Sequence, residues 1–292
     1  MYVISGATGH IGGRISEILL GKGKDVRVIG RAPERLRVLV NKGATPCVGS
    51  LDNTTFLGEA FAGADAVFTM IPPNMQAEDF GAFQKHVSEA IVKALKSAHV
   101  KHVVNLSSLG ANLGHGNGPI AGLHDHEERL AKTKVKTVIN LRPGFFMENL
   151  LQNLPLIKAQ GINGMPLRGD MPIPMIATRD IAEAVVEGLL APNPAGNIVR
   201  ELLGQRDISM NEATQILGKA MGKPDLKYVQ FPYDSAREAM IKMGLSVSIS
   251  DLFIDMYRAF NDGKIMRGFV RTAENTTATS FEQFVQQVAL PC

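Results

Sequence analysis

Three glycines spaced three apart stand near the start of the chain, in the run Gly6-Ala7-Thr8-Gly9-His10-Ile11-Gly12. Residues without a Cβ let a chain turn tightly and let a ligand come up against backbone N–H groups. Before them, Tyr2-Val3-Ile4 reads as a strand. After them, Ile11, Ile15, Ile18 and Leu19 fall at helical spacing. A helix that starts there leaves its first N–H groups without intrahelical partners, at the positive end of its dipole. Such a turn holds a diphosphate: one glycine bends the chain, one allows close approach, and one packs helix against strand. The spacing is G-x-x-G-x-x-G rather than G-x-G-x-x-G, but the physical requirement is the same. The strand before and the helix after supply the context the motif needs. Residues Gly6, Ala7, Thr8, Gly9, His10, Ile11 and Gly12 are therefore expected to contact a dinucleotide.

The next apolar run, Val26-Arg27-Val28-Ile29, ends in Gly30-Arg31. A carboxylate at this point would accept from the adenosine 2′-hydroxyl of NAD. An arginine instead suits the dianionic 2′-phosphate of NADP, to which it presents a planar fork of donors. NADP(H) is expected in preference to NAD(H), with Arg31 reading the phosphate and Arg35 one turn along the following helix.

Positioning these groups needs a sheet, and the sequence provides one. Short apolar runs at 3–5, 26–29, 45–48, 65–69, 102–106 and 136–141 alternate with amphipathic stretches at 10–20, 34–41, 54–61, 79–99 and 123–134. Strands alternating with helices imply parallel pairing through right-handed crossovers, that is, an α/β doubly wound sheet of Rossmann type whose ligands lie beyond the strands' carboxyl ends. After about residue 150 the rhythm changes. Residues 161–174 read as loop, 192–197 as a turn cluster, and 211–221, 235–243, 249–261 and 281–288 as short helices. The expected division is a Rossmann domain over 1–152, to which a helix at 179–190 returns, and a smaller, mostly helical substrate or partner lobe over 153–292. Five glycines make 110–122 read as a flexible loop above the fifth strand.

Bulk properties narrow the function. The chain has 292 residues, 45% hydrophobic, and a net charge of +3 with no basic run. That charge gives no footprint for nucleic acid. No stretch reaches about 18 apolar residues, and no signal-like segment precedes the first strand, so a cytoplasmic protein without membrane contact is expected. The two cysteines make no disulfide framework. Cys47 reads as a buried, inert thiol and Cys292 as a frayed end.

Four runs resemble the NmrA-like family of atypical short-chain dehydrogenases/reductases: the glycine motif, Asn105-Leu106-Ser107-Ser108-Leu109-Gly110-Ala111, Leu141-Arg142-Pro143-Gly144-Phe145-Phe146-Met147-Glu148-Asn149-Leu150, and Thr178-Arg179-Asp180-Ile181-Ala182. The resemblance covers nearly the whole chain. It implies that Ser50 and Leu51 flank the adenine and that Met70, Ile71 and Pro72 line the ribose and diphosphate. It also implies that Ser107 and Ser108 sit near the nicotinamide, bordered by Pro143, Gly144, Phe145 and Phe146. Catalytic members of the wider superfamily carry Tyr-x-x-x-Lys on the helix after the fifth strand. This helix reads Gly122-Leu123-His124-Asp125-His126-Glu127-Glu128, and no tyrosine lies between Tyr2 and Tyr228.

In place of that pair, His124 and Glu127 share a helix face at i and i+3. One reading has Glu127 orient the imidazole and His124 move a proton near neutral pH. The other has two polar residues in a helix's first turn. Lacking cysteine or a distant third ligand, the cluster is not expected to bind metal. Two functions fit the whole. The first is an NADPH-dependent oxidoreductase acting on a quinone-like, azo or other conjugated small molecule, in an apolar pocket between Phe145, Phe146 and residues 165–175. The second is an NADP(H) redox sensor that binds without turnover and regulates a protein partner.

Overall fold

The computed structural model describes residues 1–191 and 195–288. From the N-terminus run β1 (Tyr2–Ile4), α1 (His10–Gly21), β2 (Val26–Gly30), α2 (Pro33–Val40), β3 (Thr45–Val48), α3 (Thr54–Phe61), β4 (Ala66–Met70), α4 (Phe80–Ser97), β5 (His102–Leu106), α5 (Ile120–Ala131) and β6 (Thr137–Pro143). The chain then leaves this layer through β7 (Phe145–Phe146), a 3-10 helix (Met147–Asn153), α6 (Leu154–Gln160), β8 (Ile162–Met165) and β9 (Ile173–Ile176). It returns for α7 (Thr178–Leu190) and β10 (Gly196–Leu202), and leaves again into β11 (Asp207–Ile208), α8 (Met210–Ala220), β12 (Lys227–Gln230), α9 (Tyr233–Lys242), α10 (Val247–Asn261) and α11 (Phe281–Gln287).

The large sheet has the order β10-β6-β5-β4-β1-β2-β3, with every pair parallel. This is the doubly wound Rossmann topology. Parallel strands are covered on both faces, so they need apolar residues at consecutive positions. Val3, Val67, Val103 and Val138 face a core shared with Leu57, Phe61, Ile91, Leu95 and Leu130 of α3, α4 and α5. The residues that follow each of them, Ile4, Phe68, Val104 and Ile139, face the opposite core with Ile15 and Leu19 of α1 and Ile181 and Val185 of α7. A third core, including Leu150, Ile157, Leu203, Phe260 and Phe281, holds the smaller lobe. Asp180, in the first turn of α7, accepts from Thr279 N–H at 3.1 Å and Thr279 Oγ1–H at 2.5 Å, which ties the entry to α11 onto the large sheet's covering helix.

Several sequence expectations are corrected. Residues 161–174 are not all loop: β8 pairs with β12, and β9 lies between β7 and β11. These strands are two to four residues long and pair with segments far along the chain, so local periodicity does not mark them. The turn cluster expected at 192–197 lies outside the described residues at 192–194. Its Gly196 and Asn197 begin β10, the seventh strand of the large sheet. A cut at 152/153 therefore does not divide the fold, because α7 and β10 both belong with the Rossmann sheet. Residues 110–122 are loop only as far as α5, and that loop is pinned at Asn117, which is fully buried and whose Nδ2 donates to Gly110 O at 3.0 Å and Leu113 O at 2.8 Å, while Asn112, Gly114, His115 and Gly116 are exposed. Cys47 is a free, half-buried thiol on the edge strand, its pKa raised by burial, and Cys292 lies outside the described residues.

Candidate cofactor site

β1 ends at Ile4, and Ser5 leads into Gly6, which takes φ +62°, a left-handed conformation that side chains strain to adopt. Gly9 N–H closes the turn on Gly6 O at 3.0 Å. A Cβ on Gly12 would lie 2.4 Å from Gly6 O and 2.7 Å from Gly6 C, so the helix is packed against its own turn in a way only glycine permits. The N-termini of α3 and α4 are capped by side chains: Asn53 Oδ1 accepts from Phe56 N–H at 3.0 Å and Asp79 Oδ1 from Ala82 N–H at 2.9 Å. The cap of α1 is Gly9, with no side-chain bond and no acidic residue in the first turn. The N–H groups of His10, Ile11 and Gly12 thus have no side-chain acceptor, and the positive end of the helix dipole faces outward.

Those amides open on a cavity of about 460 Å³. Its floor is formed by Ser5, Phe68, Met70 and Leu106, at or just beyond the carboxyl ends of β1, β4 and β5, where the strand order reverses on either side of β1. Its far wall is the segment from Phe146 to Gln152, with Thr178 at the start of α7. Of the residues expected from sequence, Gly6, Gly9, His10, Ile11, Gly12, Met70 and Phe146 line this cavity. Ala7 is buried behind the turn, and its N–H donates to Ile29 O at 3.1 Å. Thr8 offers its carbonyl to Arg35 Nη2 at 3.2 Å, which fastens the side chain from α2 to the glycine turn. Arg31 is exposed directly beyond β2.

The remaining expected residues spread along the strand ends. Leu51 and Ile71 are buried in the core beneath α3 and α4, while Ser50 and Pro72 are half-buried at the surface beside them. Ser107 is buried just past β5; its N–H donates to Leu141 O at 2.8 Å, and no partner among the described residues reaches its Oγ. Ser108 Oγ donates to Leu109 O at 3.0 Å. Pro143 and Gly144 are buried, and a Cβ on Gly144 would lie 2.5 Å from Pro174 O.

Two expectations fail. Glu127 does not orient His124: its carboxylate takes both arms of Arg142, Nε at 3.0 Å and Nη2 at 2.5 Å, in a buried pair between α5 and β6. His124 Nδ1 instead lies 2.8 Å from Ala111 O, and its ring is not in the cavity wall. The sharing of a face was real, but a bidentate guanidinium holds the carboxylate more strongly than an imidazole would. Between them sits His126, fully buried, with Ser88 Oγ 2.8 Å from its Nδ1; burial, with Arg129 nearby, lowers its pKa to about 3. The pocket expected between Phe145, Phe146 and residues 165–175 also fails in part: Phe146 lines the cavity, but Phe145 and the later residues do not. Phe145, Met165, Leu167 and Met175 close on one another in the lobe's core.

Sequence reasoning missed Ser5, Phe68 and Leu106 on the floor, and Glu148, Asn149, Leu151, Gln152 and Thr178 in the wall, as lining residues. Glu148 and Asn149 stood in the most distinctive run of the sequence, which was the available signal. Among the described residues no three His, Cys, Asp or Glu side chains converge as a metal site, and no helix is long and apolar enough to cross a membrane.

The profile of the NmrA-like family matches residues 2–285. An NAD(P)H azoreductase of Xenophilus azovorans is 28% identical over 294 residues, covering 98% of this chain and 97% of that protein. The fold superimposes with TM-score 0.81 on the NADPH complex of an NADPH-dependent quinone oxidoreductase from Escherichia coli, at 22% identity over 98% of this chain and 99% of that one. It superimposes equally, TM-score 0.81 at 20% identity and the same coverage, on a Citrobacter triphenylmethane reductase complexed with NADP(H).

Proposed function

From the chain's membership of the NmrA-like family, we propose that it is an NADPH-dependent oxidoreductase that reduces a quinone-like, azo or other conjugated small molecule. The observation that carries this reading is the uncapped start of α1, where glycine-lined amides open on a 460 Å³ cavity at the switch point of the sheet. The residues fit the cofactor. A Cβ on Gly12 would strike the backbone of the turn, Gly6 holds a left-handed φ that a side chain would strain, and the buried Ser107 Oγ has no partner among the described residues. Amides of His10, Ile11 and Gly12 would hold the diphosphate, and Arg31, with Arg35 beside it, the adenosine 2′-phosphate. That preference for NADP rests on the guanidinium beyond β2 and the missing carboxylate there.

When bound, the reduced nicotinamide supplies a hydride. The chain's own part is orientation and exclusion of water. Phe146, Leu106 and Met70 line the cavity with apolar surface, and Ser107 Oγ–H is a buried donor at the end of β5. Acceptors with conjugated systems suit a site whose α5 has neither tyrosine nor lysine at the superfamily's acid positions, since they disperse incoming charge over the ring system. The same feature favours a second reading, a redox sensor that binds NADP(H) and engages a protein partner without turnover.

One experiment separates them. Purified protein is titrated with NADPH by calorimetry and then mixed with NADPH and a panel of quinones and azo compounds, following loss of reduced-nicotinamide absorbance. Micromolar binding with turnover is expected. Micromolar binding without turnover favours the sensor, and no binding refutes both.

A further inference from the structure

Glu148 stands in the cavity wall with one oxygen used and one spare. Its Oε1 accepts from the backbone N–H of Thr178 at 2.9 Å and from Thr178 Oγ1–H at 2.5 Å. Thr178 is the first residue of α7, so the carboxylate caps that helix from outside it, where the dipole favours a negative charge. These two bonds fix the side chain between the segment after β7 and the start of α7. Its second oxygen, Oε2, is buried, and no donor among the described residues reaches it.

A carboxylate oxygen shut away without a donor is destabilising, and it accepts but cannot donate. A group that enters this cavity and reaches Oε2 satisfies it only by bringing an O–H or N–H. A diphosphate on the amides of α1, which line the same cavity, offers only acceptors. The next group along a dinucleotide, on the nicotinamide side, is a ribose with two vicinal hydroxyl donors. We infer that Glu148 Oε2 accepts a hydrogen bond from the nicotinamide-side ribose of the cofactor, so that Glu148 is a binding residue that joins cofactor capture to the capping of α7. The inference rests on the reading of this cavity as the NADP(H) site.

The test is Glu148→Gln. Glutamine keeps an oxygen for Thr178 but puts an NH₂ donor where Oε2 was, so donor faces donor. Dissociation constants are measured by calorimetry for NADPH and for 2′,5′-ADP, which carries the phosphorylated adenosine half alone. The variant is expected to bind NADPH about ten- to a hundredfold more weakly, the loss of one hydrogen bond to a charged group, and 2′,5′-ADP within twofold of the parent. Unchanged NADPH binding overturns the inference, including the case where only KM for the acceptor rises, which would assign the donor to the acceptor instead. Equal weakening of both ligands also overturns it, because the effect would then come through the glycine turn. Should the variant fold poorly, the parent protein gives the second measurement: NADPH analogues lacking the nicotinamide-ribose hydroxyls should bind about tenfold more weakly, and equal affinity would refute the contact. A parent that binds no NADPH at all defeats the cofactor reading itself, whatever Glu148 does.

Discussion

Replacing Gly12 by alanine should separate the cradle's geometry from its chemistry. The new Cβ would lie 2.4 Å from Gly6 O, 2.7 Å from Gly6 C and 3.0 Å from Ala7 Cα, where ordinary contacts begin at 3.4 Å. All three neighbours are backbone, so no side chain can swing away. Relief requires α1 and the turn to part by about 1 Å at that point, judged against those contact distances. Overpacking of this kind costs about 1–3 kcal/mol, or a fall in Tm of about 2–6 °C at roughly 2 °C per kcal/mol for a chain of this size. An N–H···O hydrogen bond spans about 2.7–3.2 Å, a range narrower than that shift. The shift should therefore remove at least one amide–diphosphate bond and raise the NADPH dissociation constant about tenfold or more. Gly9 is the control. Its φ of −95° is ordinary, and a Cβ there would meet Gly6 O at 3.4 Å. Gly9→Ala should thus keep its Tm within about 1 °C, and any loss of affinity would report close approach of the ligand alone. Calorimetry and thermal melts read both quantities. Gly12→Ala binding NADPH within twofold of the parent would refute the assignment of the diphosphate to this turn.

Arg31→Asp should weaken NADPH about tenfold or more while NADH changes little, since only the former carries the 2′-phosphate; equal losses would show that Arg31 does not read it. Glu127→Gln should lower stability by about 3 kcal/mol, because it leaves the largely buried Arg142 guanidinium without its carboxylate, yet leave NADPH affinity unchanged. A variant that melts normally but loses turnover would return Glu127 to the chemistry. His126 should make the fold acid-sensitive. Its folded pKa, about 3, lies below the unfolded value near 6.5, so the unfolded chain takes a proton that the native state refuses. This destabilisation is absent above pH 6.5 and grows as pH falls, reaching about 2 kcal/mol at pH 5 at about 1.4 kcal/mol per pH unit. Denaturant midpoints measured between pH 7 and 5 should show this slope, and His126→Leu should flatten it; a His126→Leu protein with the same slope would place the sensitivity elsewhere.

The glycine turn and the sheet were legible because their signals are local. A parallel strand covered on both faces must be apolar at successive positions, as Val3-Ile4, Val67-Phe68 and Val103-Val104 are. A strand, three glycines at fixed spacing and a helical apolar stripe follow one another within twenty residues. The strands after residue 160 were not legible, because β8 finds its partner in β12 and β10 in β6, across long separations. The start of β10, Gly196-Asn197, has turn composition, and only its pairing with β6 makes it strand. At the site, the i, i+3 rule placed His124 and Glu127 on one face but could not see Arg142, which arrives from β6. Glu148 was overlooked because its partner, Thr178, lies 30 residues on.

The wall that carries Glu148 is held at both ends by the large sheet, by β6 before it and by α7 after it, and β10 then crosses back as that sheet's outermost strand. A clamshell needs a seam that only one or two flexible links traverse. Here the polypeptide is stitched across the boundary, and the stitches are a strand and a helix rather than bare linkers. The two halves should consequently melt as one unit, and guests should enter by the yielding of individual side chains around the cavity mouth rather than by the swing of one half away from the other.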